Sequence, residues 1–155
     1  MDMLRYEAHT DADPDSAWAL FAQPSRWPEW SPHLRGAWGL GTPEVEVGRR
    51  GAVRLLGAVP IPAAILAKEA TPDRRSWTWR AAGLVDMDHV VERHPGGGCT
   101  VAITMKAAAP IEATLRVTYG PVVGLLLKNL ARVAGDVSRS ARARRRPTGT
   151  GTPAA

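Results

Sequence analysis

The chain has 155 residues, a length typical of one domain with a substantial core. Its single cysteine, Cys99, excludes an internal disulfide framework and is consistent with the reducing cytoplasm. Apolar runs stay well short of the ~20 residues of a membrane span, and no charged-then-apolar leader opens the chain, so we expect a cytoplasmic protein with no membrane span.

The net charge of +5 is concentrated at the C-terminal end. Five arginines and no acidic residue lie in residues 139–155, whereas residues 1–138 hold 15 basic and 15 acidic side chains. The main body is therefore formally neutral, which argues against a specific nucleic-acid-binding surface. We expect one domain over residues 1–142, followed by a disordered, arginine-rich tail over residues 143–155.

The first strand and first helix are indicated by alternation and by capping residues. Residues 4–10 alternate apolar and polar side chains with the period of a half-buried strand. Asp13 suits the N-cap and Pro14 the first position of a short helix that ends by Pro24. A second helical turn is expected at residues 26–30.

The middle of the chain is predicted to form short strands separated by Gly and Pro. Expected strands cover residues 51–56, 65–70, 76–82, 84–93 and 99–107. Pro60 and Pro62 predict a loop or an edge strand, since proline cannot donate to a sheet ladder. The next segment, residues 110–118, fits a strand or a helix, and we favour a helix.

Residues 121–141 carry the longest periodic pattern in the chain. Apolar residues recur there at three- and four-residue steps, which predicts one buried helical face. That face comprises Val123, Leu126, Leu127, Leu130, Ala134, Val137 and Ala141, with Leu125 as the apolar exception on the opposite, charged face. Because neither a sheet nor an amphipathic helix buries its apolar face alone, we expect this helix to lie on the sheet.

The chain resembles the START-like superfamily in its order of elements and in two stretches, DSAWALF at residues 15–21 and RWPEWSP at residues 26–32. This superfamily includes Bet v 1-type and polyketide cyclase/dehydrase-type (SRPBCC) proteins. The resemblance continues in the Trp79 strand, in GGCT at residues 97–100 and in the closing helix. It implies an α+β helix-grip fold, in which a curved antiparallel sheet wraps around the long C-terminal helix and leaves an apolar cavity. It implies no single activity, because members bind lipids, sterols or polyketides and a few catalyse cyclisation.

His89 is the first candidate for chemistry. It shares a predicted strand face with Val85, Met87 and Val91, which suggests that it faces the long helix. An imidazole in an apolar cavity can donate a hydrogen bond to a ligand or act as a general base. The more ordinary alternative is a core histidine bonded to a neighbouring hydroxyl or backbone group.

Tryptophans supply most of the other candidates for a cavity lining. Trp77 and Trp79 share one face of their strand beside His89, and a stiff indole with one N–H suits a pocket wall. The alternative is that the indoles only fill core volume. The predicted ligand-binding residues are Trp30, Trp38, Trp77, Trp79, Met87, His89, Met105, Leu126 and Leu130.

Metal, cofactor and phosphate sites are not indicated. The four histidines lack zinc-like spacing, and one cysteine does not complete a ligand set. The glycine turn at residues 96–98 precedes a strand, so it lacks the helix dipole that binds phosphate. We therefore expect no metal and no cofactor, and Cys99 shows no feature of a nucleophile.

These observations favour a protein that binds a small hydrophobic or amphipathic molecule, lipid- or polyketide-like, between its sheet and its last helix. One alternative is an aromatase or cyclase that uses His89 as acid and base; the other is a non-catalytic module that binds a partner through its arginine tail. The sequence shows no second acid or base on the His89 face, which favours the carrier. The tail arginines can equally complement a helix dipole. We expect a monomer or a homodimer.

Overall fold

Seven β-strands and three α-helices make up the computed structural model of the chain, which describes residues 3–56 and 59–146. The strands are β1 (Met3–Thr10), β2 (Leu34–Trp38), β3 (Arg50–Leu55), β4 (Val59–Ala70), β5 (Arg74–Ala81), β6 (Val85–Arg93) and β7 (Cys99–Lys106). The helices are α1 (Pro14–Ala22), α2 (Ala109–Thr118) and α3 (Gly120–Arg145), and a 3₁₀ helix spans Pro24–Glu29.

The strands form one curved sheet in the order β1-β7-β6-β5-β4-β3-β2, with every neighbouring pair antiparallel. Although β1 and β2 are consecutive strands, they lie at opposite edges of the sheet. The long helix α3 packs against β1, β7 and α1, and the main core lies between these layers. The α+β helix-grip architecture expected from the sequence is confirmed.

The capping signals of α1 are confirmed. Asp13 Oδ1 accepts a hydrogen bond from the backbone N–H of Asp15 at 3.0 Å, and Pro14 begins the helix. The backbone N–H of Asp13 itself donates to Ser138 Oγ at 3.0 Å. The cap residue therefore also ties the start of α1 to α3.

Pro60 and Pro62 lie inside β4, so of the two expected alternatives, a loop or an edge strand, the structure shows the strand. β4 pairs with β3 from Val59 onward but with β5 only from Ala63 onward. The side of β4 that faces away from β3 has no partner strand at the two prolines, although the carbonyl of Pro62 accepts a hydrogen bond from the backbone N–H of Ala82 at 2.8 Å. Because the prolines are two residues apart, both nitrogens face the same side, and no ladder hydrogen bond is lost. The strand behaves locally as an edge.

Tyr119 alone separates α2 from α3, and this junction is here called the corner. Pro121 has no N–H to donate to the carbonyl of Val117, so a continuous helix is interrupted here. Gly120 lies against the ring of Tyr6, and a Cβ at this position would be 2.7 Å from Tyr6 Cζ. The helix favoured for the preceding segment is confirmed as α2.

The face of α3 that the sequence marked as apolar is largely buried. Its fully packed members are Val123, Leu127, Leu130 and Ala134. Leu125, on the opposite face, is 66% exposed. Ala141 is exposed, contrary to the expected stripe, because burial along the helix ends at Ser138.

α3 continues to Arg145, past the predicted domain boundary at Arg142, so the first residues of the expected tail are helical. Residues 147–155 of that tail lie outside the described residues. Arginines in the last turn place positive charge at the negative end of the helix dipole. Within the described ranges, no helix combines the length and the apolar character needed to cross a membrane.

Candidate ligand-binding cavity

Two cross-strand rows of large side chains form the floor of the candidate site. In one row, Met87 on β6 lies between Trp79 on β5 and Met105 on β7. In the next row, His89 lies between Trp77 and Ile103. The inward orientation predicted for Trp77, Trp79 and His89 is confirmed, since all three are buried.

The first row forms the base of an apolar cavity of about 230 Å³, here called the outer chamber. Its lining comprises Leu34, Val53, Leu55, Ile61, Trp79, Ala81, Ala82, Val85, Met87, Met105, Leu115 and Tyr119. None of these described lining side chains carries a charge. An apolar cavity smaller than this holds a small aromatic hydrocarbon in other proteins, so the outer chamber has room for a compact apolar group.

The second row lies beneath a smaller cavity of about 30 Å³, here called the inner chamber. Its lining comprises Trp27, Trp30, Leu34, Trp77, Trp79, His89, Ile103, Tyr119, Val123 and Leu126. This volume suits one or two heavy atoms of a ligand. Leu34, Trp79 and Tyr119 line both chambers, which are therefore adjacent.

His89 is held by aromatic packing. Its ring stacks on Trp77, with centroids 3.9 Å apart and planes 1° from parallel, and Phe21 meets it edge to face at 5.4 Å. The side chain is only 3% exposed, and burial lowers its pKa from 6.5 to about 3. The imidazole is therefore neutral at physiological pH.

The buried indoles differ in how their N–H groups are satisfied. Trp27 Nε1 donates to the carbonyl of Phe21 at 2.9 Å, and Trp30 Nε1 donates to the carbonyl of Leu20 at 2.8 Å. Trp77 Nε1, Trp79 Nε1 and His89 Nδ1 are buried and have no hydrogen-bond partner among the described residues. Trp27 and Trp30 thus have a clear structural role, whereas the three unpaired nitrogens, two from the second row and one from Trp79 of the first, belong to residues that line the inner chamber.

A chain of three polar side chains reaches the chambers from the segment after the 3₁₀ helix. Ser31 Oγ lies 3.2 Å from His33 Nδ1, and His33 Nε2 lies 3.3 Å from the hydroxyl of Tyr119. Burial lowers the pKa of His33 and raises the pKa of Tyr119. Both groups are therefore held in their neutral forms near pH 7.

The backbone fixes the position of this chain of side chains. Ser31 is 1% exposed, and its backbone N–H donates to the carbonyl of Trp27 at 2.9 Å. Asn129 of α3 donates to the carbonyl of Trp30 at 2.8 Å, and Leu56 donates its backbone N–H to the carbonyl of His33 at 2.7 Å. The segment is thus held from both the helix and the sheet.

Most of the predicted ligand-binding residues meet around the two chambers. Those that line them are Trp30, Trp77, Trp79, Met87, His89, Met105 and Leu126. Leu130 lines neither chamber, because it lies one helical turn beyond Leu126, where α3 is fully packed.

Trp38 also lies outside both chambers, and a β-bulge explains why. The register of β2 shifts between Leu34 and Gly36, which reverses the alternation of side chains along the strand. Ala37 therefore packs against the core, and Trp38 is 48% exposed beneath the guanidinium of Arg54, 5.7 Å from the ring centroid.

Sequence reasoning missed Tyr119 and His33. Both lie outside the predicted strands, Tyr119 at a helix corner and His33 in a loop, so no alternation pattern assigned them a direction. The available signal was the Gly120-Pro121 pair, which marks a helix break and so a place where a side chain can leave the helical stripe.

The other reactive groups lie away from the chambers. His9 Nδ1 and His94 Nε2 both contact Thr100 Oγ1, at 2.9 and 2.5 Å. Cys99 is fully buried, and burial, with a smaller effect of the Asp13 charge, raises the pKa of its thiol to about 11. Among the described residues, no group of three or more His, Cys, Asp or Glu side chains is arranged to hold a metal ion.

A family model described as "Polyketide cyclase / dehydrase and lipid transport" matches residues 1–142. No curated protein matches the sequence significantly.

Solved structures share the fold at low sequence identity. A hypothetical protein from Helicobacter pylori has a TM-score of 0.69 and 11% identity, covering 86% of this chain and 88% of that one. DynU16, from the dynemicin biosynthetic locus, has a TM-score of 0.60 and 17% identity, covering 90% of this chain and 49% of that one. A norcoclaurine synthase mutant from Thalictrum flavum, bound to a transition-state analogue, has a TM-score of 0.57 and 12% identity, covering 88% and 95%. At these identities the likeness concerns the fold.

Proposed function

Because the chain belongs to the polyketide cyclase/dehydrase and lipid transport family, we propose that it binds a small hydrophobic or amphipathic molecule in the outer and inner chambers. The observation that carries this proposal is the outer chamber itself, about 230 Å³ of space with an uncharged, almost wholly apolar lining. Ligand sites are typically apolar cavities with a few polar groups that set orientation. Here those groups are Tyr119 and the indoles at the boundary with the inner chamber.

The chamber volumes limit the size of the ligand. Drug-sized molecules occupy pockets of roughly 300–1,000 Å³. The outer chamber is below that range, and the inner chamber adds only about 30 Å³. The best fit is therefore a single short chain or a small ring system, and a two-chain lipid is too large for the chambers as they stand.

A cyclase-type enzyme is the second candidate, supported by the neutral phenol and imidazole of Tyr119 and His33 beside the chambers. His89 is a poor choice for the acid or base that such an enzyme needs. A general base works best with a pKa near the working pH, whereas burial lowers the pKa of His89 to about 3. If the protein is an enzyme, the proton-transfer role moves to the Tyr119–His33 pair.

Two measurements test the carrier proposal. Native mass spectrometry of freshly purified protein should detect a co-purifying small molecule of roughly one short chain. A branched C9 alkene, the methylene analogue of methyl hexyl ketone, should bind with a change in tryptophan emission, because indoles line both chambers.

Adjacent residues provide a matched pair of variants for this binding assay. Val85 lines the outer chamber, so Val85→Trp should fill it and abolish binding of the alkene. Leu84 is 60% exposed and lines neither chamber, so Leu84→Trp should bind the alkene like the wild type. Equal binding by both variants, or no binding by the wild type, would contradict the proposal.

A further inference from the structure

Among the described residues, the linings of the two chambers contain polar groups but no Asp, Glu, Lys or Arg. A ligand carboxylate, phosphate or ammonium placed there would lose its hydration without gaining an opposite charge, which is strongly unfavourable. The two indole N–H groups can only donate, and the Tyr119 hydroxyl can donate or accept. The chambers are therefore suited to an uncharged ligand that offers a hydrogen-bond acceptor.

Tyr119 is the polar residue best placed to receive that acceptor. It lines both chambers, at the boundary where an apolar body in the outer one would present its polar end to the inner one. It stands at the corner between α2 and α3, where Gly120 packs closely on Tyr6. The close packing of the backbone at this corner thus fixes the position of the Tyr119 Cα, from which the phenol side chain extends.

The direction of the hydrogen bonds along Ser31, His33 and Tyr119 determines whether the phenol O–H is free to donate to a ligand. A neutral imidazole carries one N–H. With that proton on Nε2, Ser31 donates to His33 Nδ1, His33 donates to the phenol oxygen, and the phenol O–H is left free to donate to a ligand. The distances of 3.2 and 3.3 Å leave room for this chain to tighten when a ligand binds.

We propose that the Tyr119 hydroxyl, positioned by His33 and Ser31, binds the carbonyl oxygen of an uncharged ketone, aldehyde or ester whose apolar part occupies the outer chamber. This inference rests on the proposed function and adds the functional group of the ligand and the residues that recognise it. Ser31 and His33 are positioning residues, since they act through the phenol. Successive donors in such a chain polarise one another and strengthen the final hydrogen bond.

Four probes of similar length separate this inference from simple apolar binding: methyl hexyl ketone, its methylene analogue, octanoate and octylammonium. The ketone should bind more tightly than the methylene analogue by one net hydrogen bond, roughly 2- to 13-fold in Kd. The two ions should bind more weakly than either neutral probe, because the chambers contain no counter-charge. Tight binding of octanoate would overturn the uncharged class.

Tyr119→Phe is the variant that tests the residue assignment. It should remove the preference for the ketone and leave the affinity for the methylene analogue unchanged. Tyr6→Phe is the matched control, since Tyr6 is the only other tyrosine of the chain and lines neither chamber. A ketone preference that persists in Tyr119→Phe would overturn the assignment of Tyr119.

The infrared carbonyl stretch of bound, ¹³C-labelled ketone tests the positioning residues. A donated hydrogen bond lowers this frequency, so wild-type protein should show a lower value than Tyr119→Phe. Ser31→Ala should shift the frequency part of the way towards the Tyr119→Phe value, with methylene-analogue affinity unchanged. An unshifted frequency in Ser31→Ala would remove Ser31 and His33 from the proposal.

The outcomes also separate this inference from the proposed function. If neither the ketone nor its methylene analogue binds wild-type protein, the cavity proposal fails. If both bind equally and Tyr119→Phe changes neither, the cavity proposal stands and the carbonyl assignment fails.

Discussion

The imidazole of His89 lies flat on the indole of Trp77, with ring centroids 3.9 Å apart and planes 1° from parallel. The two residues face each other across β5 and β6, so the strand register itself brings the rings together. Stacking on an indole does not require a charged imidazole, and burial makes the charged form costly. The pair is therefore a packed, neutral element of the core.

This arrangement predicts a pH dependence of stability. Burial lowers the pKa of His89 from 6.5 to about 3, so the unfolded chain binds a proton that the folded chain does not between these values. The contribution of His89 to stability is fully present above pH 6.5 and is lost as the pH falls towards 3. The free energy of unfolding should decrease by up to about 1.4 kcal/mol per pH unit in that window from this group.

Urea denaturation at pH 7 and pH 5 checks this dependence. His89→Gln lacks the titrating group and should lose less stability between the two pH values than the wild type. Val90→Ala destabilises the adjacent buried position without changing a titrating group, so it should keep the wild-type dependence. Burial also lowers the pKa of His33, so some dependence should remain in every variant. An unchanged slope in His89→Gln would show that this imidazole charges freely in the folded state.

Two leucines of α3 test which face of the helix holds the fold together. Leu130 is fully buried and lines neither chamber, so Leu130→Ala should lower the free energy of unfolding by about 2–5 kcal/mol. Leu125 is 66% exposed, and Leu125→Ala should change it by less than about 0.5 kcal/mol. Equal losses in denaturant titrations of the two variants would contradict the packing of α3.

Two glycines of α3 differ in their distance from Tyr6. A Cβ at Gly120 would lie 2.7 Å from Tyr6 Cζ, so Gly120→Ala must displace the ring or the corner and should destabilise the protein. A Cβ at Gly124 would lie 3.8 Å from Tyr6 Cδ1, an ordinary contact. Gly124→Ala should therefore raise the free energy of unfolding by up to about 1 kcal/mol, because alanine has the higher helix propensity. Thermal melts of the two variants give the signs of both effects, and a neutral Gly120→Ala would mean that the corner is loosely packed.

The arginines at the end of α3 should be separable from ligand binding. Val123 and Leu126, near the start of the helix, line the inner chamber, whereas Arg144, Arg145 and Arg146 follow its last buried residue. Changing these three arginines to Gln should leave the affinity for the methylene analogue and the melting temperature nearly unchanged. It should also weaken any salt-sensitive binding to phosphatidylserine vesicles. Vesicle binding that survives would place the anion-binding surface before Arg144.

The strands and α3 were predictable because their signals are local and periodic. Alternation placed Trp77, Trp79 and His89 on the inner face, and three- and four-residue spacing placed Leu130 in the core. Trp38 was not predictable in the same way, because a bulge adds one residue to β2 and no local residue pattern revealed it.

The polar side of the cavity depends on contacts between distant segments. Tyr119 and His33 are far apart in sequence and meet only when α2 packs over the sheet, so neither residue alone signals the pair. The histidine that the sequence did single out, His89, was correctly placed. Its expected role as a base near neutral pH is disfavoured by burial so complete that it lowers the pKa to about 3.

The position of β1 at one edge of the sheet has a consequence for how the chain is made. Among the described strands its only partner is β7, and Met3 pairs with Lys106, so nearly all of the sheet is synthesised before β1 can pair. At the usual ribosomal rates of about 5–20 residues per second, the first strand waits roughly 5 to 20 s for that partner. During this interval its backbone and the side chains of Leu4 and Tyr6 are open to other chains. Of the described strands, β1 therefore waits longest for a partner, because its pairing with β7 spans the largest sequence separation in the sheet.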